Sequence, residues 1–152
     1  MIARLSFRTG LILVALTAGV AAAGVRVKLD DVPKPAVKAV QDRFAKATIR
    51  TVDKETDGNF EFAMKEGDKL FDVGVTADGK LIDIKEDVEE DKLPKAVKDG
   101  LLKKHPGAKI VETEKVIVLG GKKEKVTYEI KVKVEKKTFE VTLDEAGAPV
   151  AE

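Results

Sequence analysis

The string Asp53-x-Glu55-x-Asp57-Gly58-Asn59 sets three carboxylates at alternate positions before a glycine, like the first half of an EF-hand calcium loop. Such a loop closes with a bidentate glutamate at its twelfth position, and here that position is Met64. Asp57-Gly58 therefore reads as a hairpin turn. A second acidic run, Glu86-Asp87-Val88-Glu89-Glu90-Asp91, could attract a hard cation, but it reads better as a solvated linker feeding the N-terminus of a helix. His105, the single histidine, precedes Pro106-Gly107 at an expected helix end, where a cation complements the helix dipole. It has no nucleophile to activate. The chain contains no cysteine and one serine, Ser6, which lies in the N-terminal segment expected to be removed, so Ser-His-Asp and Cys-His chemistry and Cys-rich zinc sites are not expected in the mature chain. Paired strand carboxylates could act as acid and base, yet the aromatics that would hold a sugar are expected to face inward. The expectation is no enzyme, no cofactor and no metal site.

Residues 1–23 read as an address rather than as part of a fold. Arg4 and Arg8 precede an uncharged stretch rich in Leu, Val and Ala that ends in Ala21-Ala22-Ala23, the three parts of a signal peptide. The stretch is short and diluted for a membrane span, so no stable membrane insertion is expected after cleavage. The expected location is periplasmic or secreted. The whole chain carries 28 basic and 27 acidic residues. Cleavage removes two arginines and no acid, leaving 26 against 27. That balance, with only Arg26, Arg43 and Arg50 remaining, offers no field for nucleic acid.

The elements that must position any site recur along the chain. Residues 32–49 (VPKPAVKAVQDRFAKATI) match residues 93–110 (LPKAVKDGLLKKHPGAKI), with Pro33 and Pro94 at corresponding places. Further on, NFEFAM matches TYEIKV, and KLFDVGVTADG matches KTFEVTLDEAG, so that Phe71 and Phe139 occupy equivalent positions. Each copy opens with Pro and then apolar residues at helical spacing: Val37, Val40 and Phe44, and Val97 and Leu101. The period then falls to two, as in Phe60, Phe62 and Met64, or Tyr128, Ile130 and Val132. One apolar and one wet face is the mark of antiparallel strands covered on one side. The expected fold is α+β: two tandem units, each a helix followed by about four antiparallel strands, with the helices packed on one face of a curved sheet. The expected boundaries are 24–90 and 91–152. Residues 108–119 have apolar side chains in both phases, and their inward face is left open.

The Leu/Val-Pro helix start, the Ala-x-Ile strand start, the repeated (Tyr/Phe)-(Glu/Asp)-apolar strands and the Asp78-Gly79-Lys80 turn resemble the PepSY-like family. That resemblance implies exported proteins with the fold of β-lactamase inhibitory protein. It also implies binding, or inhibition, of another exported or envelope protein, and it carries over no catalytic residue.

Two surfaces are left as docking candidates. One is the wet strand face of Thr127, Glu129, Lys131, Lys133, Thr138, Glu140 and Thr142. The other is a hairpin tip bearing Lys122, Lys123 and Lys125, lengthened by seven residues in the second copy and expected to lie outside the common core. A non-enzymatic protein-binding module is the first functional expectation. A metal-responsive or ion-buffering envelope protein using the acidic stretches is the second.

Overall fold

A computed structural model describes residues 24–150. The signal peptide expected over residues 1–23 lies outside the described residues. In chain order come β1 (Val25–Val27), α1 (Lys34–Arg43), β2 (Thr48–Lys54), β3 (Phe60–Glu66), β4 (Lys69–Val75) and β5 (Leu81–Asp87). Then follow α2 (Lys95–Lys104), β6 (Lys109–Val118), β7 (Lys125–Val134) and β8 (Lys137–Asp144). Single 3-10 turns at Leu29–Asp31 and Glu90–Lys92 lead into the two helices. Among the described residues no helix is long and apolar enough to cross a membrane.

The expected pair of tandem units, each a helix and four strands, is overturned. All eight strands belong to one sheet in the order β1 to β8, and every neighbouring pair is antiparallel. α2 is followed by three strands, and β1 precedes α1. The cause lies where the units were to meet. β5 pairs with β6 from Asp83↔Val118 to Asp87↔Glu114, so the ladder runs through the proposed boundary. Two separate sheets would each have left an unpaired row of N–H and C=O groups along β5 and β6.

The local reasons for the elements are readable. Pro33 and Pro94 cap the two helices with φ near that of a helix, −54° and −55°, and their missing N–H groups cost nothing there. Ala36 and Val40 on α1, and Val97 and Leu101 on α2, stand four residues apart and are fully buried. Under α1 they meet Val52, Phe60, Phe62, Met64, Phe71, Val73, Val75 and Ile84. Under α2 they meet Tyr128, Ile130, Val132, Val141 and Leu143. Each such side chain contributes about 1.5–3 kcal/mol of burial. Register places both apolar clusters on one face of the sheet, joined by the row Ile84↔Ile117↔Val126.

That row also resolves the strand left open by its composition. Thr113 and Ile117 of β6 face the helices, whereas Glu112, Glu114, Val116 and Val118 face away. The lengthened hairpin is not free of the fold. The Leu119 N–H donates to the Ile82 carbonyl at 2.7 Å, and Ile117 and Leu119 pack against the first cluster. β5 needed a partner, and the extra length of β6 supplies it. Gly120 and Gly121 do not take positive φ; in the β7–β8 turn it is Glu135 that does, at 54°.

Candidate functional site

The face of the sheet away from the helices is where charged side chains collect. Cross-strand register arranges them in rows. One row runs Arg26, Asp53, Glu61, Gly74, Asp83, Val118 and Lys125. The next runs Thr51, Ala63, Asp72, Lys85, Val116, Thr127 and Asp144. A third runs Asp87, Glu114, Glu129 and Thr142. Neighbours in a row stand close enough for their side chains to interact, as cross-strand pairs do.

The seven strand residues expected to form a wet face do share it. Glu129 lies opposite Thr142, Lys131 opposite Glu140, and Lys133 opposite Thr138. Thr127 flanks Val116 at the centre. Lys131 Nζ lies 3.1 Å from Glu112 across the β6–β7 ladder. Lys125 opens β7 opposite Val118, whereas Lys122 and Lys123 sit in the exposed connection before it, apart from the strand set. The structure therefore separates the loop lysines from the strand residues.

The centre of the face was missed from sequence. Lys85 Nζ lies 3.3 Å from Glu61 Oε2, and the two side chains are only 30% and 33% exposed. Burial pulls the ammonium down, but Glu61 and Asp83 outweigh it and hold it above its ordinary value. Asp83 is raised chiefly by burial, opposed by Lys85 and by the Gly74 N–H that it accepts at 3.2 Å. Asp72 is raised by burial, then by repulsion from Glu61, with Lys85 opposing. Glu114 is raised by burial as well, against the pull of Lys85, with Glu129 and Asp87 adding repulsion. Val116 beneath them is 3% exposed although no helix covers it. Asp72, Asp83 and Lys85 alternate with Val73 and Ile84, so the period-two signal was there. What sequence lacked was the β5–β6 pairing that brings them to one place.

A small cavity of about 160 Å³ opens on this face. Leu70 and Ala63 line it beside Asp72, Asp87 and Glu114, with Arg50 and Lys85 also at its wall. Arg50 stands at the β2 bulge, where the register shifts between Ile49 and Thr51.

A pH experiment reads this electrostatic strain. An acid whose pKa is raised by folding favours the fold below its unfolded value and loses that contribution as pH rises through the folded one. Asp72→Asn is therefore expected to raise the melting temperature at about pH 7, well above the carboxylate's unfolded value. The gain is expected to shrink as pH falls to about 3 and both side chains become neutral. A lower melting temperature for the variant at neutral pH contradicts the account of a carboxylate disfavoured by burial and by Glu61.

The other chemical candidates are engaged locally. Asp53 accepts two hydrogen bonds from Arg26, at 2.6 and 3.0 Å, and Asp57 accepts from the Asn59 backbone and side chain at 2.9 and 2.6 Å. Those bonds make the calcium-like string a hairpin connection between β2 and β3. Glu86 pairs with Lys69 at 2.7 Å, and Glu90–Lys92 forms a 3-10 turn, so the acidic run is divided between a strand and a helix lead-in. Among the described residues no three His, Asp or Glu side chains are grouped to hold a metal. His105 closes α2 through its N–H to Leu101 and meets Phe139 edge-on, with ring centroids 5.0 Å apart. It is the C-cap residue of α2, and burial and the neighbouring Lys104 lower its pKa.

Solved structures share this arrangement of strands and helices. A BLIP-like protein from Bacteroides fragilis superposes with a TM-score of 0.63 at 12% identity, over 77% of this chain and 82% of that one. A DUF2874 family protein from Bacteroides uniformis gives 0.67 at 10% identity, over 78% and 86%. A protein from Bacteroides eggerthii, provisionally described as periplasmic, gives 0.66 at 13% identity, over 79% and 86%. The fold is BLIP-like. No protein-family model and no curated protein matches the chain.

Proposed function

We propose that this protein is an exported, non-enzymatic module that binds another envelope or secreted protein through the uncovered face of its sheet. The observation that carries the reading is the half-buried set Asp72, Asp83, Lys85 and Glu114 on a face with no helix over it. Half-buried carboxylates raised above their ordinary pKa on an uncovered face are a feature of binding sites, which supports docking there. Export is supported by the signal-like residues 1–23 and by the naming of the Bacteroides eggerthii structure as periplasmic. The BLIP-like neighbour supports protein binding, with inhibition of the partner as its finer form. Descent from a PepSY-like ancestor belongs to the same reading and rests on the Pro-led helices and matching strand motifs.

Site-specific photo-crosslinking in the producing cell tests it. A photoreactive residue replacing Thr127, at the centre of the face, is expected to give a discrete adduct. The same residue replacing Lys38, on the exposed side of α1, is expected to give none. Adducts of equal yield from both positions, or from Lys38 alone, place the docking surface elsewhere.

A further inference from the structure

The central face is lopsided in charge and is not wholly polar. Glu61, Asp72, Asp83, Asp87 and Glu114 lie within one patch of the β3–β6 ladder, against the cations Lys85, Arg50 on the cavity wall and Lys65 opposite Leu70. Lys85 is committed to Glu61. The Arg26–Asp53 and Lys131–Glu112 pairs on either side are likewise closed. Asp72, Asp87 and Glu114 instead line the cavity whose apolar wall is Leu70, 51% exposed, and Ala63. Gly74, Val116 and Val118 continue the low, apolar ground between the acids. An apolar floor ringed by anionic groups fits a side chain with an aliphatic stem and a cationic head.

Resting on the docking reading above, we propose that the partner presents a lysine- or arginine-bearing segment, one basic side chain of which enters the cavity between Asp72, Asp87 and Glu114. The stem lies along Leu70 and Ala63, and the head meets carboxylates that Lys85 attracts but, bonded to Glu61, does not hydrogen-bond. A cation placed there also favours the ionised forms of Asp72 and Glu114, which burial first, and the nearby Asp87 after it, disfavour. An acidic segment meets the opposite: it adds charge to a patch already in excess. The loop lysines at 122 and 123 lie apart from this patch and take no part in it.

The test uses the chain from residue 24 onward and a labelled synthetic peptide of alternating lysine and alanine, with its glutamate–alanine counterpart as the second probe. Backbone amide shifts are followed at about 0.15 M salt, where bulk electrostatic attraction is largely screened. The lysine peptide is expected to bind saturably, with shifts confined to β3–β6 and the facing part of β7. The double variant Asp72→Asn/Glu114→Gln is expected to weaken it about tenfold. Glu89→Gln/Glu90→Gln, which removes the same charge from the connection before α2, is expected to change it less than about twofold. Equal weakening by both double variants means attraction to net charge and overturns the proposed site. Shifts on the same face from the glutamate peptide alone overturn the cationic partner and leave the docking face standing. Silence of the face toward both peptides overturns this inference, whereas the docking face itself stands or falls with the crosslink from position 127.

Discussion

Phe62→Ala is expected to cost about 3–5 kcal/mol, the range for emptying a buried aromatic position. Phe62 is fully buried in β3, paired with Val52 on one side and Val73 on the other, beneath Ala36 and Val40 of α1. Alanine there leaves a cavity under the helix that backbone pairing on both flanks prevents from collapsing. Against a total stability of about 5–15 kcal/mol, that loss is a large fraction. The chemical-denaturation midpoint is expected to fall with little change in slope. Phe71, 6% exposed and packed against Phe44 with ring centroids 5.3 Å apart, is expected to behave similarly. Phe139 is half-buried and covered by His105, so its loss is expected to cost less than that of Phe71, although the two occupy matching places in the sequence. Glu140→Ala, on the uncovered face, is expected to cost under about 1 kcal/mol. Were Glu140→Ala the worst of the set, the assignment of faces would be inverted.

Gly147→Ala is expected to destabilise by about 2–4 kcal/mol, for two reasons that a second variant separates. Gly147 has φ +78°, where an alanine is strained, and its missing Cβ leaves room for the Ala96 carbonyl of α2. A Cβ at that position overlaps the carbonyl oxygen, and Gly100 on the same helix is equally close to the Gly147 backbone. The turn after β8 thus lies directly on α2, backbone to backbone. Gly58 has φ +88° with nothing within 4 Å of where its Cβ would stand. Gly58→Ala therefore measures the conformational cost alone, about 1–2 kcal/mol. The difference between the two variants, read from denaturation midpoints, reports the helix–turn contact. If Gly147→Ala costs no more than Gly58→Ala, α2 and the turn yield freely and the contact contributes nothing to the fold.

Several features were visible in residue order because their cause is local. The Pro33 and Pro94 helix starts, the turn at Asp57-Gly58 and the alternation in β3, β4, β7 and β8 depend on neighbours a few residues away. The wet residues of β7 and β8 followed from that alternation and do lie together. β6 was ambiguous for a definite reason. Val116 faces away from the helices yet is buried by neighbouring side chains, and Val118 is an exposed valine on the same side, so the apolar contrast that periodicity needs is erased.

The candidate site divides along the same line. Residue types alone excluded a cysteine nucleophile and a Cys-rich zinc site, because the chain contains no cysteine. They also marked which side of most strands would be apolar, since burial acts on each strand through the spacing of its own side chains. The number of sheets, the role of the lengthened hairpin and the meeting of Asp72, Lys85 and Glu114 depended on β5 pairing with β6. That pairing joins residues about thirty apart through hydrogen bonds any two strands could make. Backbone pairing carries no residue code of its own. Only the packed structure, in which the two apolar clusters must share one continuous face, selects it.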